Sequence, residues 1–144
     1  MFSISLAKNK NVKHITTIEK FEHFYEIANE NFKKNSLQKK IKCILGDAIK
    51  VLNDLKFKKF DIIFIDGDKG NYLKIFKKIE KNNLKRNSLV LIDDIFFHGD
   101  ILNKKHKSPK TKGVIGILNY LKNKKIYDKT ILPIYGGVLL IQKI

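Results

Sequence analysis

The sequence predicts an α/β fold in which a mainly parallel sheet carries helices on its faces. Short apolar runs alternate along the chain with segments whose apolar residues recur at helical spacing, the pattern expected of repeated βαβ units. Two of these runs, residues 60–65 and 89–93, are almost continuously apolar, which indicates strands buried on both faces of a sheet. At the end of the chain, two strand-like runs flank Tyr135, Gly136 and Gly137, which predicts an antiparallel hairpin.

The individual elements follow in chain order. A β-branched run predicts a strand at residues 14–18, and aromatic residues at helical spacing predict a helix over 21–32. A strand at 41–45 leads into a helix over 48–55, with Asp47 as its N-cap. The remaining predictions are a strand at 60–65, a helix over 72–79, a strand at 89–93, a loop over 96–112, a helix over 114–121 and strands at 130–134 and 138–142.

Composition limits the class of protein. A length of 144 residues predicts one domain, and 30 basic against 14 acidic residues give a formal charge of +16. Such a charge attracts RNA or an anionic cofactor, although evenly spread lysines also arise from compositional bias alone. The single arginine, Arg86, argues against base-specific readout. One cysteine, Cys43, together with the lack of a signal peptide or a membrane-length apolar stretch, predicts a cytoplasmic protein with no membrane partner.

Carboxylates stand directly after the two continuous apolar runs. Asp66 and Asp68 follow the first run, and Asp93 and Asp94 follow the second. Because ligands bind beyond the carboxyl ends of the strands in open α/β sheets, these acids are expected to meet at one edge. Carboxylates so close together repel one another unless a cation lies between them, which predicts a hard metal ion, Mg²⁺ or Ca²⁺. The alternative is that they are turn formers and loop caps.

Three further groups have a structural interpretation beside a functional one. Lys69 either orients or deprotonates an acceptor oxygen beside the acids, or is one more solvated lysine. Glu19, at the end of the first predicted strand, either binds ribose hydroxyls or stabilises a helix N-terminus. Gly46, Asp47 and Ala48 either contact an adenine or form an ordinary strand-to-helix turn. No glycine precedes Gly46, so the chain has neither a Walker loop nor a dinucleotide fingerprint.

Together these residues resemble cation-dependent class I S-adenosylmethionine O-methyltransferases. The subgroup is the one that contains caffeoyl-CoA O-methyltransferases and bacterial tRNA 5-hydroxyuridine methyltransferases. The resemblance implies a Rossmann-like class I methyltransferase sheet flanked by helices, with an antiparallel C-terminal hairpin. Five segments carry it in the family's order: ITTIE at 15–19, GDA at 46–48, FIDGDKGNY at 64–72, LIDDIFFHG at 91–99 and TILPIYGGVLLIQKI at 130–144.

The resemblance also implies a cofactor and a set of site residues. The cofactor is S-adenosylmethionine, and the metal is Mg²⁺, with Ca²⁺ and Mn²⁺ as alternatives. The implied catalytic residues are Lys69 and Asp66, and the implied metal ligands are Asp66, Asp93 and Asp94. The implied cofactor contacts are Glu19, Gly46, Asp47, Ala48, Asp66 and Tyr72.

Two departures from the family pattern carry consequences. Asp94 stands where the family usually has asparagine, which adds a negative charge and predicts tighter cation binding. The chain also begins just after the family's first strand and glycine-rich loop, so we expect a partial methyltransferase domain, 1–144, N-terminally truncated from a longer protein. Without that strand, the strands at 14–18 and 60–65 pair directly, or residues 2–6, which alternate apolar and polar, fill the gap. The first residues also resemble the start of the helix that follows the glycine loop.

The expected function is cation-dependent methyl transfer from S-adenosylmethionine to a hydroxyl oxygen of a tRNA hydroxyuridine or of a small hydroxylated aromatic compound. The family resemblance leaves a homodimer open. A first alternative is a catalytically degenerate methyltransferase remnant that binds RNA or a partner chain. A second is an Asp-based phosphatase, because Asp66, Gly67 and Asp68 after a buried strand are similar to the Asp-x-Asp of haloacid dehalogenase-type enzymes.

Overall fold

The computed structural model describes residues 2–103 and 108–144. The chain divides into two compact units, Met1–Asp54 and Leu55–Ile144. Each unit contains its own sheet, and both alternate strands with helices. The predicted α/β class is therefore confirmed. Among the described residues, no helix is both long enough and apolar enough to cross a bilayer.

The first unit is a two-stranded parallel sheet with three helices. Its strands pair with Ile15 opposite Ile41, as expected of a βαβ connection. A small core forms around the buried side chains of Ala7, Phe32 and Ile41. The elements are α1 (Phe2–Lys8), β1 (Ile15–Glu19), α2 (Glu22–Lys34), β2 (Ile41–Leu45) and α3 (Ala48–Asp54).

One expectation for this unit is wrong. Residues 2–6 lie in helix α1 rather than in a strand, because Ile4 and Ala7, three residues apart, share the face that packs on the core. Their other interpretation, as the start of a helix, is confirmed. The helix predicted over 21–32 is confirmed as α2, in which Phe24 is 56% exposed and Phe32 is the buried aromatic residue.

The second unit is a four-stranded sheet in the order β3-β4-β6-β5. β3 and β4 run parallel, and β6 is antiparallel to both β4 and β5, which confirms the predicted C-terminal hairpin. Among the described residues, β1 belongs to the β1-β2 sheet and β3 to the four-stranded sheet, so the expected direct pairing of the strands at 14–18 and 60–65 is not found. The elements are β3 (Phe60–Ile65), α4 (Tyr72–Asn82), β4 (Leu84–Ile92), α5 (Pro109–Lys122), β5 (Tyr127–Leu132) and β6 (Val138–Lys143).

The core of this unit lies between one face of the sheet and helices α4 and α5. Val90 pairs with Ile141, and Ile92 with Leu139, so all four buried side chains point to the same face. The predicted helical stripes supply the other half of the core, at about 1.5–3 kcal/mol for each fully buried large apolar side chain. These stripes are Tyr72, Ile75, Phe76 and Ile79 on α4, and Val114, Ile117 and Leu121 on α5.

The predicted loop over 96–112 is too long. Helix α5 begins at Pro109, because Ser108 caps it by accepting a hydrogen bond from the Thr111 amide and proline is favourable in the first turn. Short 3₁₀ turns separated by a kink at His98 and Gly99 occupy Phe97–Leu102. Residues 104–107 of the predicted loop lie outside the described residues.

The carboxylate of Glu80 on α4 forms hydrogen bonds with side chains at the end of α5 and in β5. Glu80 accepts hydrogen bonds from the hydroxyls of Tyr120 and Tyr127 and from Lys124 Nζ, the last at 2.8 Å. Burial alone would raise the pKa of Glu80, but these donors outweigh it and hold the pKa below its ordinary value of 4.5. Glu80 is therefore ionised in the folded protein at neutral pH.

Replacing Glu80 by glutamine should lower the free energy of unfolding by about 1–3 kcal/mol at pH 7, because hydrogen bonds to a charged acceptor are lost. Since the folded-state pKa lies below the unfolded-state value, this stabilisation is present above about pH 4.5 and is lost as the pH falls through the folded-state pKa. Denaturant unfolding at neutral and acid pH measures both effects. Glu30→Gln, which removes an exposed ion pair with Lys34, is the matched control. If Glu80→Gln lowers the free energy of unfolding by the same amount at acid pH as at neutral pH, the prediction is contradicted.

Candidate active site

The predicted acids meet at one edge of the second sheet. β3 and β4 end side by side, with Ile65 opposite Ile92 and the Asp93 amide donating to the Ile65 carbonyl at 3.1 Å. Asp66 and Asp93 are therefore the first residues beyond two neighbouring strand ends. The convergence of acidic strand ends expected from the sequence is confirmed.

The phenol of Tyr72 lies among these carboxylates. Its ring is fully buried, and its hydroxyl donates a hydrogen bond to the Asp93 carbonyl at 3.1 Å. Tyr72 therefore holds the end of β4, and its contact with a cofactor stays a prediction. Burial is the largest cause that raises the pKa of Tyr72. The negative charges of four acids raise it further, which keeps the phenol protonated at neutral pH. These acids are Asp66, Asp93, Asp94 and Asp68.

Lys69 is engaged in this cluster. Its Nζ lies 3.1 Å from Asp94 Oδ2, and the two side chains are only 15% and 22% exposed. The same Nζ lies 5.9 Å from the ring centroid of Tyr72 and 5.8 Å from that of Phe97, within cation–π range of both. The interpretation of Lys69 as a solvated surface lysine is therefore wrong.

Asp68 has the structural role that its alternative interpretation predicted. Its carboxylate accepts hydrogen bonds from the Gly70 amide at 3.1 Å and from Asn71 Nδ2 at 2.7 Å. These bonds cap the 3₁₀ turn Lys69–Asn71. Asp68 thus fixes the backbone that carries Lys69.

The predicted metal ligands share an edge but are not gathered around one point. In the part of the chain that the structure describes, no three His, Cys, Asp or Glu side chains are arranged to hold a metal ion. The donor chemistry still fits a hard cation, because Asp66, Asp93 and Asp94 offer three carboxylates against the single charge of Lys69. The metal set of Asp66, Asp93 and Asp94 stays a prediction.

The segment after β4 has an unusual backbone that the sequence did not signal. Asp94, Phe97 and His98 adopt left-handed conformations, with φ of 50°, 43° and 53°. Such conformations cost about 1–3 kcal/mol each for non-glycine residues and cluster at functional sites. This backbone places the Phe97 ring beside Lys69, and the apolar spacing of the sequence contains no signal for that contact.

The first unit carries the candidate cofactor contacts on its own strand ends. Glu19 Oε1 accepts from the Phe21 amide at 2.9 Å, just before α2, and Asp47 Oδ1 accepts from the Ile49 amide at 2.9 Å in α3. Gly46 is required locally, since a Cβ there would lie 2.9 Å from Val51 Cγ2. Asp47, followed by Ala48 as the first residue of α3, is confirmed as the N-cap. Ligand contacts at these positions stay predictions.

Comparison with solved structures shows the fold. The chain superposes on the O-methyltransferase TomG from Streptomyces achromogenes, solved in complex with SAM, with a TM-score of 0.89 at 21% identity. The match covers 98% of this chain and 67% of that chain. The fold is therefore that of an α/β methyltransferase.

The family follows from the sequence. The family model described as O-methyltransferase matches residues 4–144, and the chain belongs to this family. Similar proteins include "Tapetum-specific methyltransferase 1" of Arabidopsis thaliana, 28% identical over 76% of this chain, and "Probable caffeoyl-CoA O-methyltransferase 3" of Dictyostelium discoideum, 24% identical over 99%. The matched regions span 47% and 62% of those two proteins, so the chain corresponds to about half to two thirds of their length.

Proposed function

We propose that this protein is an S-adenosylmethionine-dependent O-methyltransferase that methylates a hydroxyl oxygen. The observation that carries the proposal is the Lys69–Asp94 ion pair, held beside Asp66 and Asp93 where β3 and β4 end. The family match over residues 4–144 supports the same chemistry. In the first unit, the proposed cofactor contacts are Glu19 for ribose and residues 46–48 for adenine.

Lys69 is the residue proposed to meet the acceptor oxygen. Its ammonium group is fixed by Asp94 and lies beside the rings of Tyr72 and Phe97. As the hydroxyl releases its proton to solvent water, the fixed ammonium group of Lys69 stabilises the negative charge that develops on oxygen. An oxygen lone pair then forms the new C–O bond while the S–C bond breaks and its electron pair stays on sulfur. Alignment of these atoms supplies much of the acceleration.

The proposal includes a divalent cation, Mg²⁺, with Ca²⁺ and Mn²⁺ as alternatives. Asp66, Asp93 and Asp94 would hold it, because Lys69 alone balances only part of their charge. When bound, the ion would polarise the acceptor hydroxyl as a Lewis acid.

The proposed acceptor is a planar hydroxylated ring, in a tRNA hydroxyuridine or in a small aromatic compound. The ring of Phe97 beside Lys69 offers a stacking surface for such a ring. The net charge of +16 favours the tRNA, because phosphate contacts supply most non-specific affinity for nucleic acid. Cys43 as the only cysteine favours a reducing compartment such as the cytoplasm.

Incubation with methyl-labelled S-adenosylmethionine tests the proposal. With a hydroxyuridine-containing tRNA or a catechol as acceptor, we expect labelled product and one equivalent of S-adenosylhomocysteine, with a lower rate when EDTA is present. Calorimetric titration with S-adenosylmethionine measures cofactor binding separately. RNA binding without cofactor binding would contradict the proposal and favour the degenerate remnant.

The phosphatase interpretation makes a different prediction, which is release of phosphate from an aryl phosphate. We expect no release, because Asp68, the second acid of its motif, is occupied in capping the 3₁₀ turn Lys69–Asn71.

A further inference from the structure

Each partner of the Lys69–Asp94 ion pair lies directly against a glycine from a distant part of the chain. Gly113 of α5 lies against the backbone of Lys69, and Gly136 of the β5–β6 turn lies against the carboxylate of Asp94. Neither glycine has space for a Cβ, whereas at Gly67, two residues before Lys69, no atom of the described residues lies within 4 Å of the Cβ position.

At Gly136 the missing side chain is what admits the Asp94 carboxylate. A Cβ on Gly136 would overlap Asp94 Oδ1 and lie 2.9 Å from Asp94 Cγ. The turn cannot move away freely, because the amides of Ile95 and Phe96 donate to the carbonyls of Gly137 and Gly136 at 3.0 and 2.8 Å. An alanine at position 136 would therefore displace the carboxylate, the more mobile of the two groups.

At Gly113 the contact is between two backbones. A Cβ there would overlap the Lys69 carbonyl oxygen and lie 2.7 Å from Gly70 Cα. Backbone atoms have no alternative rotamer, so an alanine at position 113 would push the turn Lys69–Asn71 away from α5. A Cβ on Gly116, one turn later on the same helix, would lie at an ordinary contact distance of 3.5 Å from Leu73 Cδ2.

We propose that Gly113 and Gly136 are positioning residues that set the distance between Lys69 Nζ and Asp94. The proposal rests on the proposed function for its effect on turnover, but the ion-pair geometry itself can be measured without catalysis. Its physical basis is that a glycine without a side chain lies against each partner: Gly113 against the Lys69 backbone and Gly136 against the Asp94 carboxylate.

A double-mutant cycle on stability tests the geometry. The coupling between Lys69→Met and Asp94→Ala is measured by denaturant unfolding of the full chain, in the parent and in the Gly113→Ala and Gly136→Ala backgrounds. We expect the coupling to be lost in both backgrounds and retained in the Gly116→Ala and Gly67→Ala controls. Coupling that is retained with alanine at position 113 and at position 136 would overturn the proposal.

A Gly136→Ala chain that does not fold is tested by size complementation. Removing the Asp94 carboxylate in the Asp94→Ala/Gly136→Ala variant should restore folding, because the overlapping atoms are gone. Continued failure of this variant to fold would show that Gly136 acts on something other than Asp94.

Turnover supplies a second readout. In Gly113→Ala and Gly136→Ala, kcat should fall by about 10- to 100-fold, because the Lys69–Asp94 pair proposed to meet the acceptor oxygen is misplaced. The calorimetric affinity for S-adenosylmethionine should be unchanged, because the proposed cofactor contacts are other residues. A parent chain with the expected ion-pair coupling but no methyl transfer would refute the proposed function and leave the positioning role supported. Equal losses in kcat and in cofactor affinity would instead indicate general damage and contradict the positioning role.

Discussion

Replacing Lys69 by glutamine should lower kcat by about 10²- to 10⁴-fold, the range expected when a positioned group that handles a proton or a developing charge is removed. The side chain is 15% exposed and its Nζ is held 3.1 Å from Asp94, so its charge acts at a defined place. Glutamine is one atom shorter than lysine; it keeps a polar end group but carries no charge with which to stabilise an oxyanion. Single-turnover methyl transfer with saturating S-adenosylmethionine measures the chemical step directly.

The matched control for this variant is Lys74→Gln, which removes the same charge from an exposed position on α4. Its kcat should stay within twofold of the parent, and the thermal unfolding midpoint of both variants shows whether the fold is intact. If Lys69→Gln and Lys74→Gln have the same kcat, Lys69 has no part in the reaction.

Replacing Asp66 by alanine should abolish the part of the activity that depends on a divalent cation. Asp66 is the first residue beyond β3, and its charge reaches the same phenol as the charges of Asp93 and Asp94. If Asp66 is one of the proposed metal ligands, its loss would weaken the binding of a hard ion and the polarisation of the acceptor hydroxyl that the ion would supply. The measurement is the initial rate as a function of Mg²⁺ concentration, for the parent and the variant.

Asp61→Asn is the charge-matched control, because Asp61 lies on the same strand near its other end and is paired with Lys85. Its Mg²⁺ dependence should match that of the parent. A parent rate that is unchanged by EDTA would defeat the cation assignment, and an Asp66→Ala variant with normal Mg²⁺ dependence would remove Asp66 from the metal set.

The agreement between sequence and structure is best where local pattern is sufficient. The strands Ile41–Leu45 and Phe60–Ile65 have the predicted bounds, because short apolar, β-branched runs bounded by turn residues favour strands. The expected burial of residues 60–65 on both faces is wrong, since Ile62 is 54% exposed and Ile65 is the buried residue of that strand. The predicted helix over 114–121 begins five residues later than α5, because the predicted loop over 96–112 includes Ser108 and Pro109, which cap and begin the helix. The exposure of Phe24 was not predictable, since helical spacing of aromatic residues says nothing about what covers them.

By itself, the sequence determined the alternating elements and the position of acids directly after β3 and β4, because hydrophobic periodicity and parallel pairing are properties of short segments. Only the tertiary structure decided that Lys69 pairs with Asp94 and that Gly113 and Gly136 stand behind them. These contacts join segments that are 25 or more residues apart along the chain, and they depend on how closely two backbones approach, which no local spacing of residue types specifies.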